Sequence, residues 1–237
     1  MRFKEYYKDR KVVASYDLQR GGWKSKITRK LELSFIDSLV ETDKKQKILE
    51  IGVGTGFIAK LLVEKGNFTG LDISDEMLGR AKVLLGEVAL IKGDILNLSL
   101  NKKFDKAVSV RVISHFDKKD AITALNNINK VLVDGGELVF NLENVSYIRR
   151  AVRKITNWGS TYTFQYSKDD INELLKRTRF KQEKILYLDH MFLLPLYVLN
   201  KVILGRLSSF LFSLELKLKN TRFMSNNSFI KCKKYSS

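Results

Sequence analysis

The chain has 237 residues, 44% of them apolar and 29% charged, which suits one domain with a buried core and excludes disordered, collagen-like and low-complexity architectures. Lys and Arg total 43 against 26 Asp and Glu, a net charge of +17, which favours an anionic partner, nucleic acid or an acidic membrane surface, unless it reflects composition alone. One cysteine, Cys232, and two histidines, His115 and His190, exclude a disulfide framework and thiolate-rich or histidine-rich metal centres.

In chain order, residues 1–30 are polar and basic and read as a short helix or arm, with no apolar run of signal-peptide length. Ile27, Leu31, Leu33, Phe35, Ile36 and Leu39 fall near helical spacing over 26–39, and a polar loop follows at 41–47. Strands and helices then alternate. A buried strand at 47–54 runs into glycines, followed by a helix at 56–64, a strand at 67–72, a helix at 74–85 and a strand at 87–92. A strand at 104–112, a helix at 120–133, a turn at Asp134-Gly135-Gly136 and a strand at 137–143 complete the series. That order is the mark of βαβ units on a mostly parallel sheet. Ser167 and Asp170 are spaced as an N-cap pair opening a helix. A strand at 181–188, an apolar-rich stretch at 190–218 and a last strand at 225–234 follow. The last two strands lack a glycine-rich crossover and can pair antiparallel. With no repeat and no linker, the expectation is one domain over 1–237: an arm (1–40), a core (45–145) and a C-terminal part with a helical insertion (146–237). No stretch reaches the roughly 18 apolar residues of a spanning helix. The expected setting is cytoplasmic, with peripheral contact at a membrane surface left open.

The informative run is Glu50-Ile51-Gly52-Val53-Gly54-Thr55-Gly56, between the first strand and its helix. Alternating glycines let the chain turn sharply and let a ligand lie against bare backbone, while the next helix offers free N–H groups to ligand oxygens. Asp72 ends the second strand, where a carboxylate can accept both ribose hydroxyls, and Asp94 follows the third, within reach of an adenine amino group. These residues converge on the carboxyl edge of the sheet, where open α/β sheets bind ligands. Residues 48–100 hold five basic and seven acidic side chains, so the excess positive charge lies elsewhere.

With these motifs the chain closely resembles the class I S-adenosylmethionine-dependent methyltransferases. ILEIGVGTG (48–56) is similar to their first motif, LDISDEMLGRAK (71–82) to their second and IKGDI (91–95) to the adenine-contacting one. FDKAVSVRVISHF (104–116), INKVLVDGGELVF (128–140) and YSKDDINELLKRTRF (166–180) resemble later elements, with Arg179 where a glycine is commoner. The resemblance implies a doubly wound α/β fold: a mostly parallel seven-stranded sheet, an antiparallel last strand and helices on both faces. It implies S-adenosylmethionine as cofactor, with Gly52, Gly54 and Gly56 under its methionine and ribose parts and Glu50 toward its ammonium. Asp72 would take the ribose diol, Ile73 and Met77 would pack beside the adenine, and Asp94 and Ile95 would read its edge. Val110 and Arg111 would line the methionine end. His115, in the loop after the fourth strand, is the candidate base, and Tyr16 and Arg20 are candidate lid residues.

The implied chemistry is an in-line methyl displacement, governed mostly by alignment and desolvation. With Pro195 the only proline, the Asp/Asn-Pro-Pro-aromatic run of base-amine methylation is missing, and Cys232 lies in the tail, away from the expected site. What remains is a small or amphiphilic, lipid-like acceptor, with RNA or protein methylation on the basic surface as the alternative and a non-catalytic dinucleotide-binding protein after that. The stretch 200–218 reads as one amphipathic helix with Ile203, Leu207, Phe210, Leu211, Leu214 and Leu218 on its apolar face and Glu215 opposite. From residue 216 onward there are six Lys or Arg and no acid, a composition suited to an anionic membrane surface.

Overall fold

The computed structural model describes residues 23–145, 163–190, 193–203 and 205–235; the candidate lid residues Tyr16 and Arg20 lie outside them. The elements are α1 (Trp23–Leu39), β1 (Lys47–Ile51), α2 (Ala59–Lys65), β2 (Asn67–Asp72), α3 (Asp75–Leu85), β3 (Ala89–Lys92) and β4 (Phe104–Ser109). They continue with α4 (Lys118–Val131), β5 (Leu132–Asn144), β6 (Gln165–Tyr166), α5 (Lys168–Arg177), β7 (Phe180–His190), α6 (Leu194–Val202), α7 (Ser208–Leu218) and β8 (Ser225–Lys234). Short 3₁₀ turns stand at Ile95–Asn97 and Ile113–His115.

Local chemistry starts the helices. Ser74 caps α3 by accepting from the Met77 N–H, Asp117 caps α4 through Asp120, and Ser167 with Asp170 forms a reciprocal capping box on α5. The inner strands β1, β2 and β4 are buried on both sides, as parallel strands covered by helices must be, whereas the edge strand β3 is partly exposed. Alternate residues feed two cores: Leu49, Ala107 and Leu138 pack with Leu125, Ile128 and Leu174 of α4 and α5. Ile48, Val108 and Val139 pack with Phe35, Leu62 and Leu211 of α1, α2 and α7 on the other face.

The strand order is β3-β2-β1-β4-β5-β8-β7. Every pair from β3 to β5 is parallel, and β8 runs antiparallel to both β5 and β7. The sheet is therefore doubly wound and mostly parallel with an antiparallel last strand. It carries one strand more than expected, the two-residue β6 beside β5. Because β8 lies between them, β7 points the same way as β5 and ends at the sheet's carboxyl edge.

Four expectations need correction. Asp134-Gly135-Gly136 is no turn: β5 runs through it, with a register shift against β4 between Phe104 and Lys106 and a left-handed Gly135 (φ 72°). The extra residues are taken up as a bulge. The strand at 104–112 ends at Ser109, and the first βα helix starts at Ala59 instead of 56, because the glycine loop consumes the intervening residues. The stretch 200–218 is not one helix, since α6 ends at Val202 and α7 begins at Ser208. Phe210 is exposed, whereas Glu215 is fully buried. Glu215 Oε2 lies 2.7 Å from His190 Nδ1, and Glu215 Oε1 accepts from the Tyr197 hydroxyl at 3.1 Å. A wheel drawn on apolarity cannot anticipate a buried carboxylate that has its partners supplied by β7 and α6.

Arg179, just past α5, has φ 57° and an exposed side chain. A left-handed conformation costs a non-glycine residue about 1–2 kcal/mol, partly offset by the lower chain entropy of the unfolded arginine form. Arg179→Gly is expected to raise the melting temperature by about 1–3 °C, measured by calorimetry, and Arg179→Val to lower it.

Candidate active site

The site is built where β1 stops. The N–H groups of Gly52 and Val53 both donate to the Leu71 carbonyl, at 2.7 and 3.0 Å, which folds the glycine loop back toward β2. Gly52 (φ 79°) and Gly54 (φ 54°) are left-handed, and a Cβ on Gly52 would stand 2.2 Å from Val112 Cγ2. Only glycine fits there. The Asp72 carboxylate completes the turn: one oxygen accepts from the Gly54 N–H at 2.8 Å, the other from the Ser74 N–H at 3.0 Å. Burial pushes its pKa up, and those backbone donors partly oppose the shift.

Around this loop lies a cleft, partly open to solvent, with a cavity volume of about 100 Å³. Glu50, Gly52, Gly54, Asp72, Ile73, Asp94, Ile95, Val110 and Arg111 all line it. Gly56 and Met77 do not. A Cβ on Gly56 would stand 3.3 Å from Leu85, so this glycine lets the loop approach α3, and Met77 is buried within that helix. Asp94 caps the turn Ile95–Asn97 by accepting from the Leu96 N–H at 3.0 Å. His115, half-buried at the end of the turn Ile113–His115, is absent from the lining, although Val112 and Phe116 on either side contribute to it.

The floor carries the unusual electrostatics. Glu50 is 2% exposed, and its Oε2 has no hydrogen-bond partner. Burial first, then the neighbouring Asp72 charge, raises its pKa well above the usual carboxylate value, against the pull of Arg111. Arg111 sits at φ 62°, an uncommon conformation of the kind that gathers at functional sites. Its N–H donates to Asn141 Oδ1 at 2.5 Å, and its guanidinium pairs with the buried Glu32 at 3.2 Å.

Several lining or supporting residues escaped the sequence reading. Arg29 of α1 stacks 3.8 Å over the Phe57 ring, and both reach the cleft. Arg29 and Glu32 stand 18 or more residues ahead of the glycine run, and only the packing of α1 brings them there. Asn127 of α4 holds the turn Ile95–Asn97 by donating to the carbonyls of Ile95 and Leu96 at 3.0 Å. A lone asparagine on the inner face of an amphipathic helix was its available signal.

Residues 48–136 match the family described as methyltransferase domain. This stretch of the chain is similar to a methyltransferase domain. Among solved structures, the fold superposes on magnesium protoporphyrin IX methyltransferase from Synechocystis, crystallised with bound SAH, with a TM-score of 0.66. That pair shares 13% identity over 98% of this chain and 97% of the other. An uncharacterized protein of Methanocaldococcus jannaschii is 34% identical over 65% of this chain and 57% of its own length. A malonyl-[acyl-carrier protein] O-methyltransferase of Priestia megaterium is 35% identical over 40% of this chain and 35% of its own length. The chain thus spans about half the length, or less, of these curated relatives.

The Glu50 shift has a testable sign. A carboxyl whose folded pKa is raised stabilises the fold most below its unfolded pKa, and that stability is lost as pH rises through the folded value. In the ligand-free protein, Glu50→Gln is expected to gain stability relative to the parent as pH rises above the ordinary carboxylate range. Parallel denaturant melts across pH measure it; a difference independent of pH would show that Glu50 is not held protonated by burial.

Proposed function

We propose that the chain is an S-adenosylmethionine-dependent methyltransferase that acts on a small or amphiphilic acceptor. The observation that carries this reading is Glu50: a buried carboxylate oxygen lacking a hydrogen-bond partner, in the wall of a cleft floored by a glycine loop. An ammonium group is the natural complement of such an oxygen, and the cofactor's methionine end supplies one.

The remaining residues fit the rest of the cofactor. Asp72 holds the loop with one lone pair of each oxygen, which leaves acceptor capacity for a ribose diol. Asp94 and the backbone of Ile95 present polar groups at the far end, where an adenine amino group would bind, and Ile73 and Leu71 supply apolar walls. Bound S-adenosylmethionine would supply a methyl group activated on a sulfonium for in-line transfer. The chain's own part is to fix that group and exclude water: Phe57, Val112 and Phe116 close the cleft with apolar surface, and Arg29 caps Phe57. The partial likeness to malonyl-[acyl-carrier protein] O-methyltransferases supports an acyl or lipid-like acceptor.

S-adenosylmethionine or its demethylated product is expected to raise the melting temperature through linkage, whereas NAD is not. Asp72→Ala is expected to weaken that binding by about tenfold or more, since a ribose hydroxyl loses a charged acceptor. Unchanged affinity would remove Asp72 from the ribose site. Labelled methyl transfer into fractionated lipid, small-molecule and RNA pools then identifies the acceptor. In the same assay His115→Ala is expected to keep turnover within about tenfold, as its side chain lies outside the cleft lining. A loss of about 10² with cofactor affinity intact would make it the base.

A further inference from the structure

Helix α6 turns Tyr197 and Asn200 inward, both buried, with Leu196 partly buried against the same core. Tyr197 donates to Glu215, Asn200 Nδ2 donates to Ser208 Oγ at 3.2 Å, and Asn200 Oδ1 accepts from the Leu207 N–H at 2.8 Å. Glu215 is in turn held by the His190 ring and its N–H, at 2.7 and 3.1 Å. The outward residues are Pro195, Val198, Leu199 and Val202, all exposed, spaced to fall on one helical face. Val202 is 72% exposed, and Phe210, just past the bend between α6 and α7, is 55% exposed. Turning α6 to hide this face would break the buried hydrogen bonds of Tyr197 and Asn200, so the apolar side is locked outward.

The charged residues of the chain from α6 through α7 are mostly basic, and the nearby Asp189 accepts from Asn226 Nδ2 at 2.9 Å. Residues 194–219 contain Lys201, Arg206, Lys217 and Lys219 and a single acid, Glu215, which is fully buried. Lys26 and Lys30 of α1 line a shallow groove with Ser208, Ser209 and Phe212 at the start of α7. Lys30 rests 4.6 Å over the Phe212 ring. No described helix is long and apolar enough to cross a membrane.

We propose that the outward face of α6, with Phe210 and the basic side chains Arg206, Lys26 and Lys30, is a docking surface for an anionic lipid membrane. Apolar side chains enter the headgroup boundary while the basic side chains meet lipid charge. The same helix α1 that supplies Lys26 and Lys30 sends Arg29 into the cofactor cleft, so docking would bring a membrane-borne acceptor within one helix of the site. Membrane binding itself does not rest on the methyltransferase reading and is measured without cofactor.

The test is co-sedimentation of the full chain with phosphatidylcholine vesicles, with and without about 30% phosphatidylglycerol, at low and high salt. Binding is expected to the anionic vesicles only, and to weaken in high salt as the basic side chains are screened. The double variant Val198→Ser/Val202→Ser and the single variant Arg206→Glu are each expected to bind about tenfold more weakly. Unchanged melting temperatures would show both still fold, since the substituted side chains are exposed. Val83→Ser, which removes an 89% exposed apolar side chain on α3, is expected to bind like the parent. Absence of vesicle binding, undiminished binding by the folded double variant, or self-association that the variant abolishes without any vesicle binding would each overturn the proposal; the last would assign the face to a second copy of this chain.

Discussion

The Asp72 carboxylate joins the two halves of the candidate site. One oxygen takes the N–H of Gly54 and the other that of Ser74, so a single side chain ties the loop after β1 to the turn after β2. The backbone carbonyl of the same residue accepts from the Gly93 N–H at 2.9 Å and places the turn after β3 as well. Three successive strand ends are thus registered on one residue. A ligand acceptor at this position is consequently also a structural strut, and its burial raises its pKa while the backbone donors restrain the rise. A carboxylate with both oxygens already hydrogen-bonded is pre-oriented, which lowers the ordering cost of recruiting its remaining lone pairs.

Glu50 is the opposite case. It is carried on the central strand, where Ile48 and Leu49 are committed to the two cores, and it cannot leave its buried position without disturbing the sheet. Burial first and the neighbouring Asp72 second disfavour its ionised form, with Arg111 only partly compensating, so the free site lacks a cation that would let Glu50 ionise. Arg111 cannot swing over to neutralise it fully, since its guanidinium is shared with Glu32 and its backbone is pinned on Asn141. An arrangement so unfavourable without a ligand is what a site selective for a cation would contain.

The C-terminal third obeys a different constraint. Its sheet portion continues the fold through β8 and β7, but α6 and α7 are organised around polar groups: the His190–Glu215 pair, Tyr197 and Asn200. Such a network is costly unless every member is satisfied. Satisfying it fixes the rotation of α6 and leaves an apolar face in solvent. Polar specificity inside has been obtained with apolar exposure outside, which sets this region apart from the alternating core of the rest of the molecule.

Much of this was legible before any coordinate. The alternation of elements, the cap pair Ser167 and Asp170, the antiparallel pairing of the last strands and the glycine-acid-acid order along the carboxyl edge are all local or near-local signals, set by backbone sterics and hydrogen-bonding chemistry within a few residues. Arg179, where the resembling family more often has a glycine, has a left-handed backbone in the structure. The rest required the tertiary structure, because it depends on which side chains meet across long separations. The bulge at Gly135 follows from pairing with β4, the Arg29 and Glu32 contributions follow from how α1 crosses the sheet, and Asn127 reaches the Ile95–Asn97 turn only through the packing of α4. Glu215 is the clearest instance: periodicity put it on a solvated face, and its burial was decided by an imidazole, a phenol and a backbone N–H that the chain brings to it from 18 to 25 residues away.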